Sequence, residues 1–114
     1  MLFGAEAYTT VRWIGNENGY AAKNTWSKSK VNYENNTIDS KSQGGYTIGY
    51  EDGNQWTVPV ADARITSGWF WGITKNTPKS IADLGSMYFG SVGNNATFLL
   101  NIPPNNEGTV DQAI

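Results

Sequence analysis

The sequence predicts an open α/β fold, and three segments carry that prediction. They are a short apolar strand stopped by glycine in VRWIG, a capped amphipathic helix within NTPKSIADLGSMYFGSVGNNA, and the almost wholly apolar run TFLLNI directly after it. Strand, helix and buried strand in that order are the parts of a parallel βαβ unit. With 114 residues, the chain fits one unit, 1–114, and nothing marks a second core.

Residues 11–15, VRWIG, read as a short strand ending at glycine. From Asn16 to about Tyr46 the chain is polar, rich in Asn, Ser and Lys, and without a steady period. It reads as a long loop insertion, and inside a domain such a stretch is either an active-site loop or a surface excursion. YTIGYEDGNQWTV looks like two strands joined at Glu51-Asp52-Gly53-Asn54, because Asp-Gly is a strong hairpin signal. VADARI, residues 60–65, is the next strand.

Asn76 or Thr77 can cap the helix, Pro78 fits its first turn, and Asp83 lies near the positive end of its dipole. Ile81, Leu84, Tyr88 and Val92 recur at three- and four-residue steps as one apolar face, and Gly93 with Asn94 supplies the stop. TFLLNI then predicts a strand buried on both faces, which needs neighbours on both edges and helices outside it. One helix cannot provide that cover. A complete (β/α)8 barrel takes about 250 residues, so the chain reads as a partial (β/α)8 barrel, less than half of one, with a long loop insertion.

Composition narrows the chemistry. Aromatic residues form 13% of the chain, with five Trp and six Tyr, while charged residues form 16%. Weakly polar rings stack on the C–H faces of a sugar, and amides and hydroxyls bond its hydroxyl groups without burying charge. The net charge of −2, with no run of Lys or Arg, does not attract a phosphate backbone. No apolar run reaches the roughly 18 residues of a membrane span, and MLFGAEAY is not a signal peptide. With no cysteine and no histidine, the thiol nucleophile, the usual general base and the usual zinc ligand are all missing. Any chemistry here rests on carboxylates, with no metal and no cofactor.

VRWIGNENGYA, VADARITSGWFWG and MYFGSVGNNATFLLNIPPNNEG, in this order and spacing, resemble the C-terminal half of the catalytic barrel of glycoside hydrolase family 29, the α-L-fucosidases. The similarity covers nearly the whole chain and is strongest to bacterial enzymes acting on α-1,3- and α-1,4-linked fucose. It implies C-terminal barrel strands and helices only, a fucosylated glycan as substrate, and the remainder of the barrel as a necessary partner. The family's bacterial members are often secreted or held at the cell surface.

Family members are retaining enzymes with an aspartate nucleophile and a glutamate acid/base, and the glutamate of the GNE motif falls on Glu17. The nucleophile's WFDG-like motif and the fucose-binding histidines are absent from this chain. The resemblance also makes Arg12 a ligand for a fucose hydroxyl or for the nucleophile, and makes Trp13, Trp69 and Phe70 sugar-facing aromatics. Val60 stands where relatives often carry Glu.

Spacing alone gives plainer readings. Glu17 is then a loop carboxylate capping a turn, Arg12 a solvent-facing strand residue, and Asp62 a structural partner for backbone or Arg64. Asn101 satisfies loop backbone near Pro103. The aromatic richness also fits a non-catalytic carbohydrate-binding module, which would be a β-sandwich, and the capped helix argues against that fold.

Overall fold

A computed structural model describes residues 2–4, 6–72 and 76–114. In chain order the elements are β1 (Val11–Trp13), β2 (Lys28–Asn32), β3 (Thr37–Asp39), β4 (Ser42–Gln43), β5 (Tyr46–Thr47), β6 (Gln55–Trp56) and β7 (Val58–Arg64). Helix α1 (Ile81–Ser91), extended by a 3-10 turn (Val92–Asn94), and β8 (Thr97–Asn101) complete the list.

β1, β7 and β8 form a parallel sheet in the order β1-β7-β8. Val11 lies opposite Val58, Trp13 opposite Val60, Asp62 opposite Leu99 and Arg64 opposite Asn101. Because the three strands run the same way, the loops leaving Trp13, Arg64 and Asn101 open at one edge of the sheet. β7, α1 and β8 make the expected βαβ unit. These parallel strands and their helix differ from the two antiparallel layers of a sandwich. Among the described residues the sheet does not close into a barrel.

Alternation along the strands gives the sheet two unlike faces. Ala61 and Ala63 lie under the helix side, and a small core of Ile14, Ala21, Ala61 and Ala96 is packed there with Tyr46 against it. The other face presents Val11, Val58, Val60, Thr97 and Leu99 around a shallow apolar concavity of about 450 Å³. TFLLNI is therefore covered on one side only, with Leu99 58% exposed. Among the described residues β8 stands at the sheet's edge, paired with β7 alone.

The stretch between β1 and β7 is an antiparallel β insertion, not the unstructured loop its composition suggests. β2 pairs with β3 on one side and with β6 on the other. β4 and β5 form a separate hairpin about Gly44 and Gly45, whose φ values of 60° and 82° are those of a tight primed turn. The hairpin expected at residues 51–54 does not form, although Glu51 and Asp52 do turn. The Gly53 N–H closes the turn on the Tyr50 carbonyl at 3.3 Å, but the two arms then pair with β2: the Tyr50 N–H donates to the Lys28 carbonyl at 2.8 Å, and the Asn54 N–H to the Ser29 carbonyl at 3.0 Å.

Helix α1 starts later than predicted. Ser80 is its N-cap, with the hydroxyl accepting from the Asp83 N–H at 3.0 Å and donating to the Asp83 carboxylate at 2.7 Å. Asn76 and Thr77 lie before it, and Pro78 bridges to Thr66. The buried side is also rotated from the predicted one. Ile81, Tyr88 and Val92 are exposed, whereas Ser91 is buried and Leu84 and Met87 are half-buried. Asn95, in the left-handed conformation, ends the turn. No helix of the described residues is long and apolar enough to cross a membrane.

Candidate active site

Glu17 sits on the loop that leaves the C-terminal end of β1, between two glycines in the left-handed region, Gly15 at φ 104° and Gly19 at φ 76°. Asn16 holds the turn between them, its side-chain oxygen accepting from the Asn18 N–H at 3.0 Å. Gly19 is buried. A Cβ there would stand 3.0 Å from the Ala63 Cβ and 3.2 Å from Met87, so only glycine lets the loop lie flat on β7 and α1. Glu17 is left exposed above that seat.

The carboxylate opens on a groove of about 400 Å³, lined also by Tyr20, Tyr46, Arg64 and Lys79. Three parts of the fold converge here. Arg64 is the last residue of β7, Tyr46 belongs to the β4–β5 hairpin, and Lys79 precedes α1. Two cations facing one carboxylate make the groove polar and suited to oxygen-rich ligands. The Arg64 guanidinium also lies 5.6 Å from the centre of the Trp69 ring, which joins the loop after β7 to the groove. The Asn101 side chain donates to the Trp69 carbonyl at 2.8 Å, so the end of β8 fixes that loop.

Trp13 and Arg12 are adjacent in β1 and point to opposite faces. The Trp13 indole N–H donates to Asp62 at 2.6 Å on the open face, and its ring is 44% exposed. Arg12 is 4% exposed on the covered face. It donates to the Trp26 carbonyl at 2.7 Å, to the Thr57 carbonyl at 2.8 Å and hydroxyl at 3.2 Å, and to the Thr47 carbonyl and hydroxyl at 3.3 Å each. All five bonds go to the insertion, and none goes toward Trp13 or Glu17. Burial pushes the Arg12 guanidinium down to about 10, so it stays charged at neutral pH. Phe70 is 82% exposed, and its carbonyl accepts from Asn76 at 2.7 Å.

The chain resembles known proteins over nearly its whole length. No protein-family model matches the chain. It is 39% identical to α-L-fucosidase 1 of Arabidopsis thaliana over 95% of its own length and 21% of that protein's. The structure superimposes on a Ruminococcus gnavus GH29 fucosidase in complex with fucose, with a TM-score of 0.94 and 72% identity, covering 99% of this chain and 22% of that one. SpGH29 matches at a TM-score of 0.79 and 35% identity, over 97% of this chain and 24% of its own. The chain belongs to glycoside hydrolase family 29. It spans about a fifth of the length of the relatives it matches.

Of the residues singled out from the family 29 resemblance, the structure brings Glu17 and, through Arg64, Trp69 to one edge. Trp13 lies below that edge on the open face, Arg12 is on the covered face, and Phe70 stands free. Arg64, Tyr46, Tyr20 and Lys79 carried no site role in the sequence reading. Arg64 could have been found, as the polar residue closing a strand of a family whose fold is built from parallel strands. Tyr46 could not, because its place depends on a hairpin that brings distant residues together. Among the described residues, no group of three or more His, Cys, Asp or Glu side chains is arranged to hold a metal ion.

Proposed function

We propose that this chain is the part of a longer retaining α-L-fucosidase that carries its acid/base, Glu17, and that the enzyme releases α-1,3- and α-1,4-linked L-fucose from glycans. On this reading β1, β7 and β8 are consecutive C-terminal strands of an eight-stranded barrel. The observation that carries it is the position of Glu17. It stands at the C-terminal edge of a parallel sheet, where such barrels hold their chemistry, in a segment that superimposes on a fucose-bound relative.

In the first half-reaction Glu17 gives its proton to the glycosidic oxygen while an aspartate from outside this segment attacks the anomeric carbon. In the second, the Glu17 carboxylate takes a proton from the water that frees fucose. Trp13 and Trp69 offer apolar surface to the C6 methyl end of the sugar, and Phe70 reaches the site as an outer wall. Arg12 serves the site by tying the insertion to β1.

The test exchanges this segment for the matching one of the R. gnavus fucosidase and replaces Glu17→Gln. Turnover of fucosyl oligosaccharides is expected to fall by about 10²- to 10⁴-fold, and that of fucosyl fluoride, which needs no protonation to leave, by much less. Azide should restore turnover of the fluoride and yield fucosyl azide of α configuration. An equal loss on both substrates without azide rescue would return Glu17 to a plain loop carboxylate.

A further inference from the structure

From the β4–β5 hairpin we infer that Tyr46 is a specificity-determining contact for the leaving-group sugar, presented to Glu17 by a turn the insertion builds for that purpose. This rests on the assignment of Glu17 as acid/base and goes beyond it.

The hairpin is sewn onto the strand that leads to Glu17. The Thr47 N–H donates to the Ile14 carbonyl at 2.7 Å, and the Thr47 hydroxyl to the Trp13 carbonyl at 2.7 Å. The Asn16 amide donates to the Gly45 carbonyl at 3.1 Å. Thus β5 continues alongside β1 after β1 itself has ended. The bonds from Arg12 to the Thr47 carbonyl and hydroxyl hold the hairpin's inner arm from beneath. The two glycines of the turn have no neighbour within 4 Å of a Cβ position, so the tip is open to solvent while its arm is fixed.

Tyr46 is half-buried, packs against the Ile14 cluster and lines the groove shared with Glu17. Ile14 and Trp13 belong to opposite faces of the sheet. Glu17, on the loop beyond that strand, shares its groove with Tyr46 on the insertion side, whereas Trp13 and Asp62 line a separate concavity on the open face. An acid/base lies at the bond it cleaves, with fucose on one side and the leaving group on the other. The sugar whose anomeric carbon reacts occupies the open face, where the missing strands supply the nucleophile. The leaving group then crosses to the insertion side and meets Tyr46. A flat, fixed ring there fits the apolar face of a hexose or N-acetylhexosamine.

The experiment uses the full R. gnavus enzyme carrying this segment. It compares a fucosyl disaccharide with fucosyl fluoride, whose leaving group is too small to reach Tyr46. Tyr46→Leu keeps apolar bulk against Ile14 but removes the flat ring, and Tyr46→Phe keeps the ring. The expected result is a loss of about tenfold in kcat/KM on the disaccharide for Leu and less than about threefold for Phe, with fucosyl fluoride within about twofold of the parent for both. Equal losses on the two substrates would make Tyr46 a purely structural residue, and no loss on either would take it out of the substrate's path. Either result overturns the inference. Failure of Glu17 as acid/base would show separately, through absent azide rescue in the Glu17→Gln variant.

Discussion

Arg12 is buried on the covered side of β1 and gives its five hydrogen bonds to the insertion. Adjacent strand residues face opposite ways, so Arg12 and Trp13 cannot line one wall, a conflict already present in the sequence. What the sequence lacks is any sign of the acceptors, since Trp26, Thr47 and Thr57 are brought to Arg12 only by the folded insertion. The folded state gives up the Arg12 proton at a lower pH than the unfolded chain does. Its desolvation therefore opposes folding uniformly below about 10 and is relieved only above that value. Stability should not vary through Arg12 across neutral pH. Replacing Arg12→Met leaves three carbonyls without this donor and is expected to destabilise the insertion by about 3 kcal/mol. Amide exchange at Thr47, Gly49 and Thr57 should then speed up by about 10²-fold. Arg12→Lys should recover part of the protection, because one ammonium reaches fewer of the acceptors. Unchanged protection in the Met variant would mean that the insertion holds itself without Arg12.

At the scale of elements, local sequence signals mark where an element lies better than where it starts or what it pairs with. Helix α1 and the strands around Trp13, Asp62 and Leu99 announce themselves through period, apolar runs and nearby turn residues. The expected cap falls too early because Asn76, Thr77 and Ser80 all carry a side-chain oxygen near the start, and only Ser80 accepts from an N–H three residues on. Ser80→Ala is expected to cost about 1 kcal/mol in a urea unfolding curve. Thr77→Ala should stay within about 0.5 kcal/mol of the parent. Equal effects would mean that Thr77 shares the cap. The rotated face of α1 was not legible, since Ile81 and Tyr88 fit a helical stripe as well as Leu84 and Met87 do. Which stripe is buried is decided by the loop from Gly15 to Gly19 and by β7, both distant in sequence. The insertion was illegible for the same reason: β2 draws both Tyr50 and Asn54 to itself, overriding the Asp-Gly signal between them.

The whole molecule is more open than its length requires. Its radius of gyration is 16.1 Å, against about 13 Å for a compact domain of 100 residues. Its accessible surface is 7282 Å², against roughly 6,200 Å² for a self-contained domain of this mass. The excess has a location. Val58, Val60 and Leu99 form an apolar floor without a roof among the described residues, and β8 pairs on one side only. An apolar sheet face and a free edge favour association.

The 114-residue chain by itself is therefore expected to self-associate with rising concentration in sedimentation experiments and to bind an apolar dye. Leu99→Lys, placing a charge at the centre of the floor, should reduce both. On the proposed assignment of Glu17 the same chain should release no measurable fucose, because a carboxylate without its partner forfeits most of the rate enhancement of the pair. A monomeric chain that binds no dye would mean that the floor is covered from within. Fucose release by the isolated chain, abolished by Glu17→Gln, would mean that a second carboxylate of this segment acts as the nucleophile, and the dependence on a longer enzyme would fall.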